Sequence, residues 1–176
     1  MKAIASVITA GAILSAGGFS TRVTAQTAAH VIQAPGEAQW GPAPPLLPAG
    51  AQIAVLAGDP TKSVPYTIRL KFPANYAIPA HSHPTDENVV VVSGALTFGM
   101  ADKLSKTAAG NKTLPPGGFA LMPANMNHFA YTKQETTIVL YGQGSVEFKY
   151  VNPSNDSPEP EDRLEAGGCV ACKLFE

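Results

Sequence analysis

His81-Ser82-His83 places two imidazoles two residues apart. On an extended strand, residues i and i+2 share a face, so both rings can reach one ion. Glu87 follows after Pro84-Thr85-Asp86, a segment able to turn the chain and return a carboxylate to the same place. His128 comes from a distant segment, after Met122-Pro123-Ala124-Asn125-Met126-Asn127, whose turn can swing in a third imidazole. Three neutral nitrogens and one anionic oxygen suit Mn, Fe, Co, Ni, Cu or Zn better than Ca or Mg. Each residue alone has a plain structural alternative. A lone strand histidine is usually on the surface or hydrogen-bonded in a core, and Asp86 is as available an oxygen as Glu87. The joint pattern carries the weight, because the chain has only four histidines. The fourth, His30, is expected to be solvent-exposed.

Short strands must position these groups. Apolar, β-prone runs bounded by turn residues lie at 52–57, 64–72, 88–93, 95–100, 119–122, 128–132, 136–141 and 146–151. Within 64–72, Val64, Tyr66, Ile68, Leu70 and Phe72 alternate with Pro65, Thr67, Arg69 and Lys71, the period of a strand buried on one face. Val89–Val92 reads instead as a run buried on both faces. Residues 102–109 are the one stretch suited to a short helical turn. This spacing of strands and turns predicts an all-β sandwich or barrel. Five prolines between Gln33 and Gly50 make that segment an extended arm, which Trp40 would pin to the body. There is no phosphate-binding glycine loop and no nucleophile elbow.

The histidine–glutamate pattern resembles the cupin superfamily. Its first motif, G-x5-H-x-H-x(3,4)-E-x6-G, is matched from Asn75 to Gly94 through His81, His83 and Glu87, with Asn75 in place of the opening glycine. Its second, G-x5-P-x-G-x2-H-x3-N, is matched by Gly117, Pro123 and His128, with Asn125 and Thr132 in the remaining places. Asparagine is the next most tolerant residue for the left-handed backbone a turn glycine supplies, so both replacements are compatible. The resemblance covers about residues 40–153. It implies a small antiparallel jelly-roll barrel, a double-stranded β-helix, with one divalent transition metal (Zn, Cu, Mn, Fe or Ni) on His81, His83, Glu87 and His128. It also implies a small-molecule ligand, and pairing into a homodimer through edge strands or the N-terminal arm. Phe98, Met100, Phe119, Phe129, Tyr131 and Tyr141 are the candidate apolar walls. Asp86, Tyr66 and Tyr131 are the candidate general bases, with nothing to single one out. The segments Gly99–Lys103 and Tyr150–Pro153 are similar to a bacterial single-domain cupin group related to the cupin half of ChrR-type anti-sigma factors. A leader and a proline arm stand where those factors carry a sigma-binding helical segment, so that activity is not carried over.

The beginning of the chain is read as an address. Lys2, an uncharged stretch rich in Ala, Gly and Ile, and Val23-Thr24-Ala25 before Gln26 describe a signal peptide cleaved after Ala25. The expected organisation is a leader at 1–25, an arm at 26–50, the barrel at 51–153 and an acidic, flexible tail at 154–176. Export to the periplasm or beyond follows, with no membrane span left after cleavage. Metal loading outside the cytoplasm would favour Cu or Zn. Losing Lys2 and Arg22 leaves 10 basic against 13 acidic residues, a balance that offers nucleic acid no broad basic surface. Cys169 and Cys172 form an isolated C-x-x-C, expected to close a local disulfide in an oxidising compartment. Two functions follow: a metal-dependent enzyme of oxygenase or isomerase type acting on a small oxygenated molecule, or a metal- or small-molecule-binding protein without catalysis.

Overall fold

Alternating apolar side chains build two facing antiparallel sheets. The computed structural model describes residues 30–155. The expectations for the leader at 1–25, for the tail from 156 on and for Cys169 and Cys172 lie outside the described residues. Among the described residues eleven strands follow in chain order: β1 Gly41–Pro42, β2 Gln52–Gly58, β3 Pro65–Phe72, β4 Ala77–Ser82, β5 Glu87–Ser93, β6 Leu96–Gly99, β7 Lys112–Leu114, β8 Phe119–Met122, β9 His128–Thr132, β10 Thr136–Gln143 and β11 Lys149–Tyr150. One sheet has the order β1-β2-β3-β10-β5-β8, the other β11-β4-β9-β6-β7. Every pairing is antiparallel. This is the jelly-roll arrangement expected of the sequence, and among the described residues it contains no α-helix.

The core lies between the sheets. Tyr66, Ile68, Leu70 and Phe72 on β3 are buried, as their period of two requires, while Thr67, Arg69 and Lys71 between them are only half-buried. Val89, Val91, Ile138 and Leu140 of the same sheet meet Ile78, Leu96, Phe98 and Ala130 of the other. Each of the valine, leucine, isoleucine and phenylalanine side chains contributes about 1.5–3 kcal/mol by leaving water.

Three local expectations are corrected. Only Val89 and Val91 of the valine run are buried; Val92 is 46% exposed. Val90 is only half-buried, so β5 buries one face only. Residues 102–109 form turns rather than a helix. Ala108 N–H donates to Ser105 O, and the Asn111 side chain donates to the same carbonyl. This loop puts Leu104 over Phe129, Tyr131 and Ala80, a second small core on the outer side of the other sheet. The run at 146–151 is a strand only at Lys149–Tyr150.

Both asparagines that stand in for motif glycines have a left-handed backbone, Asn75 at φ 60° and Asn125 at φ 61°. The proline arm folds onto its own barrel. Gly41 and Pro42 pair with Ile53 and Gln52, and Leu47 is buried. Lys71 Nζ lies 4.6 Å above the half-buried Trp40 ring. The Tyr150 hydroxyl donates to Leu46 O at 2.7 Å, and the Tyr76 hydroxyl to Pro48 O.

Candidate metal centre

The site bridges the two sheets. His81 lies near the end of β4, directly across from His128 at the start of β9. His83 follows the end of β4 and is held there by Asn125 N–H donating to its carbonyl at 2.7 Å. Glu87 is the first residue of β5 in the opposite sheet, reached through Pro84–Asp86. The pairing of β4 with β9 shifts register between Ile78 and His81. Pro79, which has no N–H to give a ladder, sits in that bulge. All four residues are buried, and the imidazoles of His81, His83 and His128 offer ligand atoms within 4.8 Å of one another.

Hydrogen bonding sets which nitrogen each ring presents. His81 Nδ1 lies 2.6 Å from Pro79 O, His83 Nδ1 2.7 Å from Glu147 O, and His128 Nδ1 3.0 Å from Met126 O. A carbonyl can only accept, so each Nδ1 carries a proton, and in its neutral form each ring has its lone pair on Nε2. His83 Nε2 is buried without a hydrogen-bond partner. Such an orphaned acceptor is costly unless something electron-poor completes it. Glu87 supplies the anionic side: Oε1 is 3.5 Å from His83 Nε2 and Oε2 3.6 Å from His128 Nε2. These donors fit a transition-metal ion.

Charge follows the same geometry. Burial pulls His81 down to about 3, helped by the neighbouring His128 and His83 rings, so it is neutral at physiological pH. Burial pushes the Glu87 carboxyl up, but attraction to the neighbouring imidazoles in their protonated form, above all His83 and His128, outweighs it and holds the group at about 2. A neutral His81 beside an ionised Glu87 is the state a cation needs.

Space for a small molecule adjoins the site. An inner space of about 340 Å³, its solvent-open part included, reaches His81, Glu87 and His128. An outer pocket of about 590 Å³, its solvent-open mouth included, meets it along Leu47, Leu70, Glu87, Leu140 and Phe148. Phe148 stacks on His81 with ring centroids 4.6 Å apart and meets His83 edge-on at 4.6 Å. Sequence reasoning did not single out Phe148. Its signal was the alternation of Val146, Phe148 and Tyr150 with Glu147 and Lys149.

Several expected wall and base residues lie elsewhere. Phe98 does line the inner space. Met100, Phe119 and Tyr141 are exposed, and Phe129 and Tyr131 pack on the outer side of their sheet. The Tyr131 hydroxyl donates to Lys106 O at 3.2 Å, so it is not a base for this site. Asp86 Oδ1 accepts Ala124 N–H at 2.8 Å and thereby ties down the turn that precedes His128. Tyr66 is buried, and burial together with the Glu87 charge raises its phenol above the ordinary range. The phenol stays protonated, so it is not a base here. His30 is exposed, as expected.

The comparisons with known proteins agree with this architecture. A family model described as DUF4437, a domain of unknown function, matches residues 30–166. No curated protein matches the chain. Among solved structures, KdgF from Halomonas sp. is 21% identical, with a TM-score of 0.50 over 67% of this chain and 96% of that one. The polyketide cyclase RemF from Streptomyces resistomycificus is 15% identical, with a TM-score of 0.50 over 61% and 75%. An RmlC-like cupin from Shewanella frigidimarina is 13% identical, with a TM-score of 0.49 over 65% and 91%. What the chain has in common with these proteins is the cupin fold.

Proposed function

The chain belongs to the DUF4437 family, and from that footing we propose that it is an exported, metal-dependent cupin enzyme acting on a small oxygenated molecule. His81, His83 and His128 would hold one divalent transition ion through Nε2, with the Glu87 carboxylate as fourth donor. When bound, the ion supplies Lewis-acid polarisation of a substrate oxygen, the chemistry shared by oxygenase- and isomerase-type reactions. The chain's own residues do the rest. Three backbone carbonyls fix the imidazole tautomers, Glu87 balances the cation's charge, and Phe148 excludes water from the His81 side.

The observation that carries this reading is the set of three Nδ1–carbonyl contacts, which leaves three Nε2 lone pairs converging, one of them buried without a partner. Elemental analysis of the mature protein beside a His81→Ala variant tests it. About one equivalent of metal is expected in the first and little in the second. Equal metal in both removes the assignment. Export rests on the leader pattern at residues 1–25, and N-terminal sequencing of the exported protein at Gln26 would support it.

A second reading is favoured by one observation: among the described residues, no acid or base besides Glu87 lines the outer pocket. A metal-dressed binding protein without turnover needs none. Turnover that disappears with chelator and returns with a single metal separates the enzyme from the binder.

The chain also pairs with a second copy of itself in this reading. Since the arm is spent on its own barrel, the available surface is the outer face of the first sheet, where Val92, Phe119, Leu121 and Tyr141 are exposed beside the edge strand β8. Sedimentation equilibrium tests this: a dimer that Phe119→Lys splits is expected, and a monomeric parent protein would end it.

A further inference from the structure

The outer pocket has an unusual lining for a site next to a buried carboxylate. Its walls are Pro44, Leu46 and Leu47 from the arm on one side, and Leu140, Val146 and Phe148 from the barrel on another. Among the described residues Thr61 and Glu87 are its only polar lining residues, and no Lys, Arg or His reaches it. Thr61 is already engaged, its hydroxyl donating to Asp59 Oδ1 at 2.6 Å. A ligand bearing phosphate, sulfate or several carboxylates would therefore be desolvated against hydrocarbon with no lysine or arginine along the walls to receive it, and, in the metal-free protein, with Glu87 repelling it.

We infer that this pocket selects an uncharged, mostly hydrocarbon small molecule, whose body lies between the arm and the barrel and whose single oxygen-bearing end points toward Glu87 and the histidines. The polar end of this inference rests on the metal-centre reading above; the apolar body does not. The arm is a specificity element rather than a linker. Leu46 and Leu47 form part of the wall, and the hydrogen bond from Tyr150 to Leu46 O fixes that wall to β11. Tyr150 pairs with His81 across β11 and β4, its ring 5.7 Å from the imidazole, so one strand pair positions both ends of the pocket.

Two single-ring probes test the inference by calorimetry: 4-tert-butylphenol, which is neutral, and 4-hydroxybenzoate, which carries a carboxylate on a similar ring. The full mature chain is titrated as purified and again after chelation. The neutral probe is expected to bind at least tenfold tighter than the anion in the chelated protein. Leu46→Trp, which fills the pocket without adding charge, should weaken the neutral probe at least tenfold and leave metal content unchanged. Leu46→Lys, which adds an ammonium to the wall, should reverse the order of the two probes. Circular dichroism and the unfolding temperature confirm that each variant folds. Tighter binding of the anion by the parent protein, no binding of the neutral probe, or variants without effect on either probe would overturn the inference. Protein that takes up no metal yet prefers the neutral probe would sink only the metal reading. Protein that takes up about one equivalent of metal but lacks that preference once chelated would sink only this one.

Discussion

His81 and His128 face each other as a cross-strand pair of β4 and β9, with ring centroids 4.4 Å apart. Two buried histidines so close would repel if both were charged. Their Nδ1 atoms point instead at the carbonyls of Pro79 and Met126, two residues upstream in each case. Each ring is thus held by its own strand's approach, and the two Nε2 atoms are left for a common partner.

Metal should stabilise the fold and depend on this pair. Adding metal at about 100 times its dissociation constant is expected to contribute about 2.7 kcal/mol, read as a rise in unfolding temperature. His128→Ala should abolish that rise. A variant that keeps the full stabilisation would show that the ion binds elsewhere.

Acid should destabilise the metal-free protein in two overlapping windows. His81 falls from an ordinary 6.5 to about 3 on folding, so between those values the unfolded chain binds the proton first and stability drops as pH falls. Glu87 falls from 4.5 to about 2, so the stability it contributes above 4.5 is lost as pH falls toward 2. The two effects have the same sign. Thermal unfolding against pH should therefore decline from about 6.5 downward and steepen below about 4.5. Glu87→Gln should flatten the lower part alone.

Gly142 should not tolerate a side chain. It lies between Tyr66 and Glu87 in the register of β3, β10 and β5. A Cβ there would stand 2.8 Å from the Asp86 carbonyl. Gly142→Ala is expected to cost about 1–3 kcal/mol by overpacking, and to weaken metal binding by shifting the start of β5. Unchanged metal affinity would mean that Glu87 is not a ligand.

The left-handed asparagines should tolerate glycine and resist alanine. Asn125→Gly is expected to leave stability nearly unchanged, while Asn125→Ala should cost about 1–2 kcal/mol from its backbone alone. Because Asn125 N–H also holds His83 O, the alanine variant should lose some metal affinity as well. Denaturant unfolding of the two variants side by side checks this.

Much of the architecture was legible in the chain itself. The period of two in β3 announced its buried face, because side chains on a strand can only alternate. The spacing around His81, His83, Glu87 and His128 named the cluster, and Asn75 and Asn125 named two turns, because few residues accept a positive φ. Strand β4 gave no apolar run of its own, since Pro79 and two alanines interrupt its pattern; only the bulge in the folded sheet explains why a proline can sit there. The carbonyls that fix the imidazoles, from Pro79, Glu147 and Met126, carry no signal in residue type, because a backbone acceptor is the same in every residue. The face each aromatic takes was likewise decided in three dimensions. Phe98 lines the site while Phe119 is exposed, although both are phenylalanines on strands, because strand parity counts only once register with the neighbouring strands is set. The chain's sequence determined which four groups could meet; packing of the two sheets and the arm decided what surrounds them.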